Sequence, residues 1–366
     1  MWYTFTRELE ALIMRIILTA GGTGGHIYPA LGVYDKLIQD KNNEILYIGT
    51  KNRMESDIVP KLGIKYEGIE IYGLSKTNII RDIKNIGCII SSYNKCKKII
   101  KEFKPDFVLG FGGYVTYPVI LAAHKLGIKT GLHEQNQIPG KTNKLLSKYA
   151  DITFISFEDS KKYFKNKVIL SGNPCGEKAL NIIKDDKTKL GFSLHKKLIL
   201  IVMGSLGSEI INEKMKDFLS SYNSDMNEIL YITGKSNYDN YKNLKVNNCV
   251  KIIPYYDNLS ALMKSADLVI SRAGASTISE ILSLNIPSIL IPSPYVANNH
   301  QYYNALDLKE KGVSIMIEQK DLNSNTLNKA IDECFKNEQN MKDKLKELPK
   351  LKASTIIVNE MEKEVK

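Results

Sequence analysis

The feature that most constrains the fold is an alternation that runs twice along the chain: short apolar runs, each giving way through a turn to a stretch with helical spacing. In the first half the runs at 15–19, 44–49, 106–110, 129–132, 152–155 and 168–170 predict strands. After the first run, Ile27, Ala30, Leu31, Tyr34, Leu37 and Ile38 fall at helical spacing. The pattern restarts with strands predicted at 198–203, 228–232, 250–253, 268–271, 288–292 and 313–317, and helices near 209–221, 258–265, 276–284, 299–311 and 324–336. Strands separated by helices pair in parallel with helices on both faces. The fold class is therefore α/β, as two Rossmann-like, doubly wound parallel-sheet domains in tandem with a cleft between them.

At 366 residues the chain has room for about two domains of roughly 150 residues each. The turn-rich stretch Gly172-Asn-Pro-Cys-Gly176 marks the seam, giving a first domain over 14–174 and a second over 175–349. The charged helical tail, about 350–366, is expected to pack back on the first domain. Residues 1–13 read as an upstream extension, because Met14 directly precedes the first strand; Arg7, Glu8 and Glu10 exclude a signal peptide there.

Composition excludes collagen-like, disulfide-scaffold and wholly disordered chains: 43% of residues are hydrophobic, with 24 Gly and 11 Pro. Five dispersed cysteines with no C-x-x-C pair indicate reduced thiols and a cytosolic setting. No apolar run approaches the roughly 18 residues of a membrane span. The net charge of +11 is uneven: residues 1–174 hold 25 Lys+Arg and 16 Asp+Glu, whereas 175–366 hold 26 and 24. The basic surplus points to an anionic partner of the first half. No nucleic-acid recognition motif accompanies it, and nucleic acid is not expected as a partner.

In open parallel sheets, ligands bind beyond the carboxyl ends of the strands. Five motifs fall there. Gly21-Gly-Thr-Gly-Gly-His26 lets a ligand approach the backbone and the start of a helix, or makes a tight turn alone. It fails the dinucleotide pattern at Ile27, and Gly49-Thr-Lys51 supplies no ribose-binding acid at the end of the second strand. His26 is placed to act as a base near neutral pH. Gly110-Phe-Gly-Gly-Tyr114 and Gly204-Ser-Leu-Gly-Ser208 are further glycine-rich strand ends; Ser205 and Ser208 would bind phosphate or, for Ser208, cap the next helix. His133-Glu-Gln-Asn136 places four polar side chains for a polyhydroxylated ligand. Ser271-Arg-Ala-Gly-Ala-Ser-Thr-Ile-Ser-Glu280 combines a glycine turn, hydroxyls at a helix start and a carboxylate one turn inside: a diphosphate cradle beside a ribose acceptor. With no D-x-D and no Cys/His cluster, neither metal nor cofactor is expected, and helix starts would neutralise the diphosphate.

Together with Gly172-Asn-Pro174, His133-Glu-Gln-Asn-x-x-Pro-Gly-Lys-x-Asn143 and Ile291-Pro-Ser-Pro-Tyr-Val-Ala-Asn-Asn-His-Gln301, these motifs resemble the MurG family of GT-B glycosyltransferases over residues 14–360. The resemblance implies transfer of N-acetylglucosamine from UDP-N-acetylglucosamine to lipid I, making lipid II of peptidoglycan, at the cytoplasmic face of the cell membrane. It implies His26 as the base; Thr23, Gly24, Gly25, Asn136, Ser205, Tyr256, Ala275, Ser276, Thr277, Ile278, Ser279, Glu280 and Gln301 as donor contacts; and Gly112, Gly113, Tyr114, His133 and Glu134 on the acceptor side. Expected partners are UDP-N-acetylglucosamine, lipid I, the anionic inner membrane surface and cell-wall synthesis proteins.

One departure is clear. The family pattern has an Arg after Gly-Asn-Pro, where this chain has Cys175-Gly176; Lys178 is the replacement at hand. The resemblance also gives the basic surplus a purpose. Residues 76–104 carry Lys76, Arg81, Lys84, Lys95, Lys97, Lys98, Lys101 and Lys104, interleaved with Ile79, Ile80, Ile83, Ile86, Ile89 and Ile90. That pattern suits contact with anionic lipid and equally an amphipathic helix packed on the sheet. A related lipid glycosyltransferase, a UDP-N-acetylglucosamine 2-epimerase and a non-catalytic membrane-surface scaffold are the alternative readings.

Overall fold

The computed structural model describes residues 14–73, 79–203 and 209–366. In the first half, strands β1 (Arg15–Ala20), β2 (Glu44–Thr50), β3 (Tyr66–Ile69), β4 (Phe107–Gly112), β5 (Lys129–Glu134), β6 (Ile152–Ile155) and β7 (Lys167–Leu170) form one sheet in the order β3-β2-β1-β4-β5-β6-β7. In the second half, β8 (Lys197–Val202), β9 (Asn227–Ile232), β10 (Val250–Ile253), β11 (Leu268–Ser271), β12 (Ser288–Leu290) and β13 (Ser314–Met316) form another, in the order β10-β9-β8-β11-β12-β13. Every pairing is parallel. The result is a two-domain, doubly wound α/β fold.

Strand β3 escaped the sequence reading for a physical reason. It is a four-residue edge strand, Tyr-Glu-Gly-Ile, in which only Ile69 is buried, so it has no apolar run to detect. The central strands instead bury both faces. Along β1, Ile16, Leu18 and Ala20 join one core and Ile17 the opposite one. Along β8, Ile199 and Ile201 face one layer of helices while Leu198, Leu200 and Val202 face the other. This period-two division between two apolar faces is why both strands read as continuous hydrophobic runs.

The C-terminal helix, Ala353–Val365, joins the core of the first sheet through Ile357, Val358 and Met361. Its exposed side is pinned by ion pairs from Lys167 to Glu360 (3.2 Å) and Glu364 (2.8 Å). A short helix, Pro174–Leu180, sits at the junction between the halves. Gly172 at φ +79° makes the turn into it, the Asn173 side chain caps it by accepting from the Cys175 N–H at 3.1 Å, and Pro174 fills its first position. A Cβ on Gly32 would lie 2.7 Å from Pro174 Cβ, and one on Gly176 would lie 2.6 Å from Ser283 Oγ and 2.9 Å from the Ser279 carbonyl. Glycine thus lets this helix press against both the helix Gly24–Leu37 of the first half and the helix Ala275–Leu284 of the second. Among the described residues no helix is long and apolar enough to cross a membrane.

Overpacking at such a contact costs about 1–3 kcal/mol. Gly176→Val is therefore expected to lower the thermal unfolding midpoint by several degrees, measured by circular dichroism against the parent protein.

Candidate active site

A cleft of about 1150 Å³ lies between the two sheets, larger than the roughly 300–1,000 Å³ of an ordinary small-molecule pocket. Its position follows from strand order. In the first sheet the order reverses between β1 and β4, so the loops after these strands diverge: Gly21–His26 and Gly112–Tyr114 line the cleft there. In the second sheet the reversal lies between β8 and β11. Arg272, Gly274, Ala275, Ser276 and Thr277 follow β11 and line the opposite wall.

On the first wall, the helix Gly24–Leu37 starts in the cleft with no side-chain cap on its N-cap residue, Thr23. His26 Nδ1 lies 3.1 Å from the Gly21 carbonyl oxygen. A carbonyl only accepts, so Nδ1 carries a proton, and in the neutral ring that leaves the lone pair on Nε2. Nε2 faces Gly112, whose φ of +107° and lack of a Cβ keep that side open; an added Cβ would lie 3.1 Å from it.

The strand β5 motif divides its work. Glu134 is buried and organises the loop behind it, accepting from the Asn136 N–H at 3.0 Å, the Gly140 N–H at 3.0 Å and Asn143 Nδ2 at 2.9 Å. Asn136 lines the cleft, and its Oδ1 accepts from Asn304 Nδ2 at 3.2 Å. Asn304 is fully buried; it also donates to the Ala273 carbonyl at 3.2 Å and accepts from the Gln137 N–H at 3.0 Å. One side chain thus ties the β5 loop of the first half to the β11 loop of the second.

On the second wall, the helix Ala275–Leu284 begins with Gly274 as N-cap, again without a side-chain cap. Uncapped N–H groups at a helix start form an anion site. Glu280 follows on the same helix, with Ser260 Oγ donating to its Oε1 at 2.5 Å. Burial pushes the Glu280 carboxyl up to about 7, opposed by the Ser260 hydrogen bond and the nearby Lys178 cation. Burial pushes the neighbouring Cys175 thiol up to about 12, and the charge of Glu280 adds to the shift. Gln301 lines the cleft with its Oε1 accepting from the Ser293 N–H at 2.9 Å. Tyr256 lines it too, its hydroxyl donating to Asp185 at 2.9 Å.

Family models for the N-terminal and C-terminal domains of glycosyltransferase family 28 match residues 16–155 and 198–359. The chain belongs to glycosyltransferase family 28. The UDP-N-acetylglucosamine–N-acetylmuramyl-(pentapeptide) pyrophosphoryl-undecaprenol N-acetylglucosamine transferase of Caldanaerobacter subterraneus subsp. tengcongensis is 42% identical over 329 residues, 87% of this chain and 90% of that protein. The crystal structure of Acinetobacter baumannii MurG superposes with a TM-score of 0.77 at 27% identity, covering 96% of this chain and 99% of that one. A UDP-GlcNAc 2-epimerase from Neisseria meningitidis matches with a TM-score of 0.68 at 16% identity over 96% of this chain and all of that one, a likeness of fold alone.

Of the positions that the MurG resemblance named, the structure brings Thr23, Gly24, Gly25, His26, Gly112, Gly113, Tyr114, Glu134, Asn136, Tyr256, Ala275, Ser276, Thr277, Glu280 and Gln301 to one cleft. The side chains of three others lie away from it. His133 is fully buried, with Nε2 donating to the Gly172 carbonyl at 2.9 Å and Nδ1 accepting from Gln135; burial lowers it to about 4 and keeps it neutral. It locks β5 to the Gly172 turn. Ile278 points into the second core, and Ser279 Oγ donates back to the Ser276 carbonyl at 2.7 Å, as the helical period requires of positions between Thr277 and Glu280. Ser205 lies outside the described residues, as do Lys76 and the side chains of Ile79, Ile80, Arg81, Ile83, Lys84 and Ile86.

The sequence reading included Asn304 and Arg272 among its motif residues but gave neither a role. Arg272 donates to the Ile291 carbonyl at 3.1 Å and to Gln319 Oε1 at 2.6 Å, fixing the β11 loop from behind. Lys178 lines the cleft and pairs with Asp35 of the first half at 2.8 Å.

Because the folded Glu280 carboxyl titrates near 7 and an unfolded one near 4.5, the native state holds a proton that the unfolded chain has released between those values. The cost of the buried charge therefore grows as pH rises through that window and is constant above it. Glu280→Gln removes that cost. Its unfolding midpoint relative to the parent is expected to be higher at pH 8 than at pH 5, measured by scanning calorimetry.

Proposed function

We propose that this glycosyltransferase moves N-acetylglucosamine from UDP-N-acetylglucosamine to the 4-hydroxyl of the N-acetylmuramyl-pentapeptide carried on undecaprenyl diphosphate, with inversion at the anomeric carbon. The observation that carries this reading is the facing of two groups across one cleft: an imidazole held through Nδ1 by the Gly21 carbonyl on the first wall, and an uncapped helix start followed by a carboxylic side chain on the second. The name of the 42%-identical relative supports the choice of donor and acceptor.

In this reading the UDP diphosphate rests on the N–H groups of Ala275, Ser276 and Thr277, and the Glu280 carboxylate accepts from the ribose hydroxyls. The acceptor hydroxyl attacks the anomeric carbon as the bond to the UDP oxygen breaks. Its proton passes to His26 Nε2, and the charge on the departing UDP meets the dipole of the helix Ala275–Leu284. The Gln301 amide and Asn136 orient the sugar between them. The first half takes the lipid-linked acceptor, and its basic surplus holds it at the anionic cytoplasmic face of the membrane as a peripheral protein.

Transfer of labelled N-acetylglucosamine to a lipid I analogue tests this reading, with diacylglycerol as the competing acceptor and EDTA as the metal control. The expected result is transfer to the lipid I analogue alone, at an EDTA-insensitive rate. His26→Ala is expected to lower kcat by about 10²–10⁴ while UDP binding persists; full turnover by this variant would remove His26 as the base. Glu280→Gln is expected to weaken UDP binding about ten-fold or more, the loss of a charged hydrogen-bond partner costing about 1.5–3 kcal/mol, measured by isothermal titration.

A further inference from the structure

Glu55 opens the short helix Met54–Lys61 after β2 and is fully buried. Among the described residues no lysine or arginine forms an ion pair with it. A buried carboxylate needs hydrogen-bond donors in place of water, and Glu55 has three. Its Oε1 accepts from the Thr50 N–H at 3.1 Å and from Thr50 Oγ1 at 2.6 Å; its Oε2 accepts from the Gly22 N–H at 3.1 Å. Its charge is felt nearby: burial chiefly, and Glu55 next, push the hydroxyls of Tyr47 and Tyr66 upward.

The Gly22 N–H belongs to the same planar peptide group as the Gly21 carbonyl. That carbonyl is the oxygen to which His26 Nδ1–H donates, at 3.1 Å. In a trans peptide the two groups point in opposite directions, so one rigid unit has the carboxylate on its N–H side and the imidazole on its C=O side. Both residues of the unit must be glycine: Gly22 holds φ +90°, and a Cβ on Gly21 would lie 2.9 Å from Glu55 Cδ.

We propose that Glu55 is a positioning residue for His26, acting through the Gly21–Gly22 peptide as a carboxylate–peptide–imidazole relay. The carboxylate polarises the peptide, making the Gly21 oxygen a stronger acceptor, and serial hydrogen bonds reinforce one another. A stronger acceptor at Nδ1 fixes the tautomer and ring orientation and makes Nε2 the better base. The relay also excludes a role: with its N–H already given to a carboxylate, Gly22 is no anion site, and a substrate phosphate on this wall must use the helix start beyond it. This inference rests on the reading of His26 as the base, and the test separates the two.

The experiment is a double-mutant cycle on the full chain with Glu55→Gln, His26→Ala and both together, following transfer to the lipid I analogue. Glu55→Gln keeps the shape of the side chain and removes the charge. It is expected to lower kcat about ten- to a hundred-fold, the scale of a misplaced catalytic group, with the donor KM unchanged. In the His26→Ala background the same substitution is expected to change the residual rate less than about two-fold, since contacts acting through one another are not additive. An equal loss in both backgrounds, or no loss in either, would overturn the relay. Full activity of His26→Ala alone would instead overturn the base itself. Thr50→Val carries the same cycle if Glu55→Gln does not fold: it removes only the 2.6 Å bond to Oε1 and is expected to show a smaller kcat loss, again silent without His26.

Discussion

Parallel pairing is the constraint from which the site follows. When every strand of a sheet runs the same way, all its carboxyl ends lie on one edge, and each loop leaving that edge enters a helix N-terminus first. Two such sheets meeting with these edges facing produce a cleft walled by glycine turns and helix starts. The strand orders β2-β1-β4 and β9-β8-β11 then decide which loops part widely enough to admit a ligand. In the first half these are the loops that carry His26 and Gly112; in the second, the described member is the loop from Arg272 to Ser276.

What keeps the two walls in register is the close packing of one short helix and a set of polar contacts around it. Within Pro174–Leu180, Glu177 accepts from the Ser354 and Thr355 N–H groups and so caps the C-terminal helix, while the next residue, Lys178, reaches Asp35 across the cleft. Cys175 on the same helix lies against Glu280 and Ser276 of the second wall. Asn304 adds a second tie between the β5 and β11 loops. These polar contacts add to the close packing of the same helix on its two neighbours, and each sheet has apolar clusters on both faces.

Much of this was legible in the residues. The β1 and β8 runs read as buried strands because both faces are apolar, and the glycine motifs read as strand-end loops because positive φ and close approach demand them, as Gly112 and Gly113 do. The illegible parts share one physical cause: their roles come from partners distant in sequence. Nothing local marks Asn304 as the tie to Asn136, 168 positions away, or Glu55 as the carboxylate behind Gly22, 33 positions away. His133 is the converse case. Its polar neighbours suggested a ligand, whereas the fold turned it inward onto Gly172, 39 positions on, and burial left it neutral.

The sequence by itself determined the class of fold, the two-fold repetition and the identity of the motifs, because apolar periodicity, glycine requirements and helix starts are local properties of a chain. Only the tertiary structure decided which side of each motif meets the cleft. It divided Thr277 and Glu280 from the intervening Ile278 and Ser279, joined the β5 loop to the second sheet through Asn304, and set a buried carboxylate behind the peptide that orients His26. Those decisions depend on burial and on donors and acceptors brought together across the chain, quantities that exist only after the sheets have packed.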